Sequence, residues 1–390
     1  MGPEISAYMS SVLGFVCLAV WIYLVCGRGG YWRGAITDAN VPAVDVVRWP
    51  AVAAVIPARN ESEFIGASVQ SLLRQNYPGS LDIFVVDDES NDGTAAIAMR
   101  AAGNAANRKV TVISSKGPAR GWTGKLSALN EGIAAASGAK PEYLLLTDAD
   151  ILHEPESLSW LVRQSLAGKY VLVSLMAKLR CESLPERSHV PAFIYFFQML
   201  FPFAWVRRPD SHVAAAAGGC ILVRADALAS AGGIEIIRDA LIDDCSLAAK
   251  LKTIGPIWLG LTDRVRSVRP YDSMRDVKQM ISRSAYAQLR YSSLLLAATT
   301  IGLLITFVAP PLLTIFAEGP PQYMGLAAWL LMAVSFVPTL RFYRVSPLWA
   351  PALPAIAALY LYYTLNSAYQ YLRRRGGQWK GRVHDAPSLR

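Results

Sequence analysis

Two apolar runs of this chain close on acidic clusters, and those junctions constrain the fold more than any other feature. Asp82-Ile83-Phe84-Val85-Val86 runs into Asp87-Asp88, and Tyr143-Leu144-Leu145-Leu146-Thr147 runs into Asp148-Ala149-Asp150. Further apolar runs end at Ile56 and Ile113, and Tyr170 to Met176 makes another. Helical patterns over Glu63–Arg74, Thr94–Ala102, Lys125–Ala136 and Pro155–Leu166 alternate with them. Near-continuous apolar strands alternating with helices predict a parallel sheet buried on both faces. Asp92 and Thr94 read as helix-start residues, and Pro155 suits a first helical turn. In an open α/β sheet, ligands bind beyond the carboxyl ends of the strands. Both acidic clusters fall there. Carboxylates so placed, one residue apart, can hold a divalent metal, and a metal can hold a diphosphate.

The ends of the chain read differently. Ala7 to Val25 is uncharged and long enough to span a bilayer, which takes about 20 apolar residues. A signal peptide would want a basic flank before it. Only Glu4 precedes the run, whereas Arg28 and Arg33 follow it, so residues 1–30 read as a membrane anchor with a cytosolic C-terminal flank. Three more apolar runs, Ser293–Phe316, Tyr323–Leu340 and Leu348–Tyr363, form a C-terminal transmembrane region over 293–372. Pro310-Pro311, Pro351 and Pro354 are expected to kink or break these helices, which membrane neighbours tolerate. The basic loop Arg341–Arg344 belongs in the cytosol by the same charge rule. Three spans would then put the basic tail 373–390, with Arg373-Arg374-Arg375, Lys380 and Arg382, outside. The two demands conflict unless one run is re-entrant or interfacial.

Between these ends, residues 48–270 carry the α/β pattern. Ala192 to Val206 is aromatic, uncharged and too short to span, and it reads as an element in the membrane interface, with a buried core helix as the alternative. Residues 271–292 form an amphipathic stretch leading into the C-terminal runs. The net charge of +9 flanks apolar runs instead of forming an aromatic-laced patch, which points to an anionic membrane surface and away from nucleic acid. Five cysteines with no Cys-x-x-Cys pair give no disulfide framework or zinc site. His153, His189, His212 and His384 are too scattered to form a ligand set. Neither a Gly-x-Gly-x-x-Gly nor a Gly-x-x-x-x-Gly-Lys-Ser/Thr motif is present.

Four motifs occur in order. Pro57-Ala58-Arg59-Asn60-Glu61 ends the first strand, Val86-Asp87-Asp88-Glu89-Ser90-Asn91-Asp92 ends the second, Asp148-Ala149-Asp150 follows the fourth, and Asp243-Asp244 opens a helix. Gly121-Trp122-Thr123-Gly124-Lys125 opens another helix, and Gly218-Gly219-Cys220 precedes a strand. From about Ala51 to Tyr291 the chain resembles the family 2 inverting glycosyltransferases, which have an α/β nucleotide-diphospho-sugar fold called GT-A. With the anchor and the C-terminal runs, its layout is most like the hopene-associated glycosyltransferases and the ceramide glucosyltransferase-like enzymes.

The resemblance implies a set of roles. Pro57, Arg59, Glu61, Asp88, Lys125, Asp148 and Arg290 are expected to bind the nucleotide-sugar, Asp88 through a uracil-type base. Asp150, with Asp148, is expected to ligate Mg²⁺ or Mn²⁺. Asp244 is the expected general base, with Asp243 beside it in an open role. Helix capping is the alternative for that pair, and a simple turn is the alternative for Asp87-Asp88. Processive relatives carry Gln-x-x-Arg-Trp, whereas Ala287-Gln288-Leu289-Arg290-Tyr291 keeps only the arginine and an aromatic. The resemblance therefore implies transfer of one sugar from a UDP-sugar to a membrane lipid hydroxyl, such as that of a hopanoid. The catalytic domain would be cytosolic, on a multi-pass protein of the cytoplasmic membrane. Alternatives are a polyprenyl-phosphate glycosyltransferase, a small polysaccharide synthase, or a catalytically silent membrane scaffold with the same fold.

Overall fold

The computed structural model describes residues 3–103, 108–373, 378–379 and 382–383. Arg374, Arg375 and Lys380 of the basic tail, and His384, lie outside the described residues. In chain order the elements begin with α1 (Pro3–Ile22), β1 (Val52–Ala58), α2 (Ile65–Leu73), β2 (Leu81–Asp87), α3 (Thr94–Ala102), β3 (Val110–Ser114) and α4 (Gly124–Ala136). They continue with β4 (Tyr143–Thr147), β5 (Ile151–His153), α5 (Ser157–Gly168), β6 (Leu172–Lys178), α6 (Leu184–Leu200), α7 (Phe203–Arg207), β7 (Cys220–Arg224) and α8 (Ala225–Ser230). The last are α9 (Asp243–Leu251), β8 (Ile257–Ser267), α10 (Met274–Ser282), α11 (Ala285–Gln288), α12 (Ser293–Leu303), α13 (Ala309–Phe316), α14 (Pro320–Phe342) and α15 (Leu353–Leu372).

The chain divides into two compact units. One comprises Ile36–Arg180, Trp205–Pro270 and Gln378–Arg390, and the other Met1–Ala35, Cys181–Ala204 and Tyr271–Gly377. The first holds an eight-stranded sheet in the order β3-β2-β1-β4-β7-β6-β8-β5. β1 runs parallel to β2 and β4, β2 to β3, and β6 to β8. Of these, β1, β2 and β4 are near-continuous apolar runs in sequence, and all seven residues of β1 are buried. Ala54 and Ile56 of β1 share a core with Ile65, Val69 and Leu72 of α2 and Leu158 and Leu161 of α5. On the other face α4 lies close enough that a Cβ on Gly132 would come within 2.4 Å of Val55 Cγ1.

The sheet is mixed, not wholly parallel. β7 runs antiparallel to β4 and β6, and β5 antiparallel to β8. Cys220 pairs with Thr147, so β7 enters at the carboxyl end of β4 and must run back along it. β5 follows β4 after Asp148-Ala149-Asp150 alone, and a parallel return needs a crossover of a dozen residues or more. Pro155 also differs from expectation. α5 starts at Ser157 with Glu156 as its N-cap, so the proline precedes the helix instead of sitting in its first turn.

The second unit is helical. Among the described residues, four segments are long and apolar enough to cross a membrane: Ala7–Gly27, Ser293–Phe316, Pro320–Phe342 and Pro347–Leu372. The prolines act where expected, at irregular turns. A π-turn over Leu304–Val308 precedes Pro310 in the first turn of α13, and a 3₁₀ turn over Pro347–Ala352 precedes α15. Wider turns release backbone carbonyls, and α1 satisfies two of them. Trp21 Nε1 donates to Thr306 O at 2.7 Å, and Cys17 Sγ lies 3.2 Å from Ile305 O. The aromatic segment over 192–206 is not one element. It is divided between α6 and α7, and Pro191, Ala192, Ile194 and Tyr195 of α6 are buried. Tyr195 OH bonds Tyr31 OH at 2.9 Å and Ser335 Oγ at 2.7 Å. A capping box at Ser183 and Glu186 starts α6. α10 is amphipathic as read, with Val277 and Ile281 packed beside Tyr363 of α15.

Candidate functional site

The carboxyl ends of β1, β2 and β4 converge on the charged residues singled out above. At the centre stands Lys125, in the first turn of α4. Thr123 caps that helix by accepting from Leu126 N, which directs the next side chain toward the end of β4. Lys125 Nζ lies 2.9 Å from Asp148 Oδ1 and 3.0 Å from Asp243 Oδ2. Asp244 adjoins them: its Oδ2 accepts from Gly218 N at 2.9 Å and its Oδ1 from Cys245 N at 2.7 Å. Pro57 and Gly218 complete the walls of this cleft, with Leu126, Ile221 and Leu247 beneath. A Cβ on Gly218 would stand 3.2 Å from Lys125 Nζ and 3.5 Å from Asp244 Oδ2, so glycine lets this backbone approach.

One ammonium thus faces three carboxylates, and the cleft is net negative. Burial alone would depress the Lys125 pKa, but Asp148 and Asp243 hold it above the ordinary lysine value. Burial raises the Asp148 carboxyl pKa, with Lys125 opposing. Burial, then the neighbouring Asp243 charge, push Asp244 up to about 6. Asp244 is therefore a carboxylate in this cleft that can take a proton near neutral pH.

Beside the cleft lies a second charged group. Arg269 Nε is 3.1 Å from Asp150 Oδ2, and its Nη2 is 2.7 Å from each oxygen of Glu61. Ser267 Oγ donates to the same Asp150 oxygen at 2.7 Å. Farther along the sheet, Arg59 Nη1 donates to Asp88 O at 2.5 Å and stands 3.7 Å from the Asp88 carboxylate, which is 1% exposed. The loops after β1 and β2 interlock: Asn60 N bonds Ser90 Oγ, Glu61 N bonds Thr94 Oγ1, and Ser62 N bonds Asp92 Oδ2. Asn60 and Glu89 adopt positive φ within this interlock. Asp92 also accepts from Thr94 N across Gly93, so its work is to start α3, as expected.

The fold therefore gathers Pro57, Lys125, Asp148, Asp243 and Asp244 in one cleft, and joins Glu61 to Asp150 through Arg269. Arg59 and Asp88 sit together at the end of β2. Arg290 belongs to the helical unit, in left-handed backbone (φ 51°) after α11. Asp243 and Asp244 are the first two residues of α9, whose N-cap Ile242 makes no side-chain cap. His153 is buried with Nε2 2.9 Å from Thr147 Oγ1, and burial lowers its pKa to about 4. Sequence reading did not find Arg269 or Ser267. Their only signal is Ser267-Val268-Arg269-Pro270 at a strand exit, in a stretch that also contains Arg264 and Arg266.

Residues 53–231 match the family model described as Glycosyl transferase family 2, a likeness that covers just under half of the chain. An uncharacterised protein of Methanocaldococcus jannaschii is 30% identical over 134 residues, which are 34% of this chain and 49% of that protein. The chain thus spans about half the length of this curated relative. Among solved structures, the mannosyltransferase PcManGT from Pyrobaculum calidifontis, in complex with GDP-Man and Mn²⁺, is similar. The TM-score is 0.55 at 19% identity, over 92% of this chain and 99% of that one, a likeness of fold.

Proposed function

We propose that this protein is a membrane-bound inverting glycosyltransferase. It moves one sugar from a nucleotide-diphospho-sugar, UDP-linked on our reading, to a hydroxyl of a membrane lipid. A hopanoid or another polycyclic or sphingoid-like lipid is the first candidate acceptor. The observation that carries the proposal is the cleft in which Asp148, Asp243 and Asp244 surround a single ammonium, beside the carboxyl ends of β1 and β4.

The residues fit a substrate-completed metal site. Among the described residues, no three His, Cys, Asp or Glu side chains come together as an all-protein cage. Mg²⁺-type sites need none, because one or two carboxylates and substrate phosphates suffice. Asp148 and Asp150 supply two carboxylates at one strand exit, each with one oxygen engaged by Lys125 or by Arg269 and Ser267. Bound there, Mg²⁺ or Mn²⁺ would neutralise the diphosphate leaving group as a Lewis acid.

The chain's own residues do the rest. Asp88 and Arg59, at the end of β2, face the nucleoside base on this reading, and Glu61 lies on the ribose side. Asp244 accepts the proton from the acceptor hydroxyl. That oxygen forms its bond to the anomeric carbon as the bond to the diphosphate oxygen breaks, which inverts the centre. No protein nucleophile is needed. Lys125 pairs with Asp148 and Asp243, while Asp244 is held by the backbone N–H groups of Gly218 and Cys245. The helical unit would anchor the enzyme in the cytoplasmic membrane with the sheet unit in the cytosol, where nucleotide donors are made.

The test is a panel of UDP- and GDP-sugars assayed with purified protein and a total membrane lipid extract. A labelled lipid resistant to mild acid is the expected product. An acid-labile product would identify a polyprenyl phosphate acceptor, and no metal-dependent turnover of any donor would sink the enzymatic reading.

A further inference from the structure

The partner that Asp150 already has bears on how the donor site fills. Arg269 is the penultimate residue of the segment Trp205–Pro270 of the sheet unit, two positions beyond the end of β8. Its guanidinium is held from three directions. Glu61 takes Nη2 through both oxygens at 2.7 Å, Asp150 takes Nε at 3.1 Å, and the Phe64 ring lies beneath it with its centroid 5.0 Å from Cζ. The backbone reinforces the bridge: Val268 N donates to Asp150 O at 3.0 Å, and Arg269 N donates to Ser267 Oγ at 3.3 Å. Arginine keeps its charge at any accessible pH, and its planar fork can serve two carboxylates at once. A fixed positive charge therefore sits within bonding distance of one of the two carboxylates that the proposed function assigns to the metal.

We infer that Arg269 is an internal counter-cation for Asp150 that opposes metal binding until a diphosphate is present, so that metal and donor enter together. The inference rests on the proposed function in taking Asp150 as a metal ligand. The reasoning is electrostatic. A divalent ion on Asp150 would lie within a few ångströms of the guanidinium, and like charges at that range repel strongly in a partly buried site. Two changes relieve the repulsion. Removing the guanidinium is one. Adding the negative charges of a diphosphate, which also supplies ligands, is the other. Arg269 is a positioning residue on this account, acting on the metal through Asp150. A purely structural role makes a different forecast: loss of Arg269 would loosen the three segments it joins and weaken metal uptake or leave it unchanged.

The experiment measures Mn²⁺ binding to the full-length protein in detergent by the electron paramagnetic resonance signal of free Mn²⁺, with and without UDP. Wild type should bind Mn²⁺ at least tenfold more tightly with UDP than alone. Arg269→Gln should bind Mn²⁺ alone about tenfold or more tightly than wild type does, with the difference narrowing when UDP is added. Arg269→Lys, which keeps the charge, should stay within about threefold of wild type. An Arg269→Gln protein that binds UDP normally but shows no gain for Mn²⁺ alone overturns the inference and leaves the metal reading standing. Should that variant fail to fold, the wild-type pair still decides: equal Mn²⁺ affinity with and without UDP also overturns it. If wild type takes up no Mn²⁺ even with UDP, the metal reading itself fails and the inference falls with it.

Discussion

Replacing Asp244 with Asn separates a general base from a helix-start aspartate, and the structure sets the size of each effect. Both oxygens of Asp244 accept backbone N–H groups, from Cys245 at 2.7 Å and Gly218 at 2.9 Å. An amide offers only one oxygen, so its NH₂ must face one of these donors. The lost bond costs about 1–3 kcal/mol. An opposing effect comes from charge. Burial and the Asp243 carboxylate raise the Asp244 pKa from 3.8 to about 6, and two units correspond to about 3 kcal/mol against the ionised form. The neutral amide escapes that cost. Near pH 7.5 the two effects largely cancel, and the variant should melt within a few degrees of wild type.

The balance shifts with pH in a definite direction. Between about pH 4 and 6 the native protein holds a proton on Asp244 that the unfolded chain has released. Wild-type stability therefore falls as pH rises through this window, and Asp244→Asn lacks that fall. The variant should be less stable than wild type at pH 4 and should approach it by pH 7. Turnover should follow another course. Wild-type rate should rise with pH to about 6 and level off, as the base ionises. Asp244→Asn should lose about 10²–10⁴-fold in sugar transfer and keep its affinity for UDP by calorimetry. Asp243→Asn should move the wild-type profile to lower pH, because it removes the charge that raises Asp244. A variant Asp244→Asn within tenfold of wild type would refute the base assignment. Collapse of Asp243→Asn alone would transfer the role to Asp243.

Three further outcomes are expected. Asp150→Ala should abolish transfer in the lipid assay, as should excess EDTA on wild type, while melting changes little because Arg269 keeps both bonds to Glu61. Gly132→Ala should destabilise the sheet unit by about 1–3 kcal/mol or more, read by urea or thermal unfolding, since its Cβ would stand 2.4 Å from Val55 Cγ1 and 2.9 Å from Val86 Cγ2. Trp21→Phe keeps an aromatic ring but removes the donor to Thr306 O at 2.7 Å and leaves a void where the fully buried indole stood. The lost bond and the void together should cost about 1–3 kcal/mol, measured by thermal melting in detergent, and a variant as stable as wild type would show that the carbonyl finds another partner and the void closes.

What could be read from the sequence follows the kind of information each element carries. A strand buried on both faces is recorded in its own residues, so β1, β2 and β4 and the acids that close them were legible, and α3 begins and ends where its capping residues put it. Strand direction is not recorded that way. β7 is an apolar run like the others, yet it is antiparallel because the chain re-enters the sheet at Thr147, after a long excursion that includes α6. The buried face of α6 was hidden for a related reason. An uncharacterised membrane surface and a protein core demand the same aromatic run, and what distinguishes them is Tyr195 bonding to Tyr31 and Ser335, 164 and 140 positions away. Charges are the hardest case. Lys125 was legible as a site residue because it starts a helix beside a motif, but its role changes once Asp148 and Asp243 are found to share it. Arg269 looks like any basic residue at a strand exit, and its partners Asp150 and Glu61 are 119 and 208 positions distant. An apolar residue announces burial by its type, whereas a charged residue is defined by a partner that only the folded chain brings near.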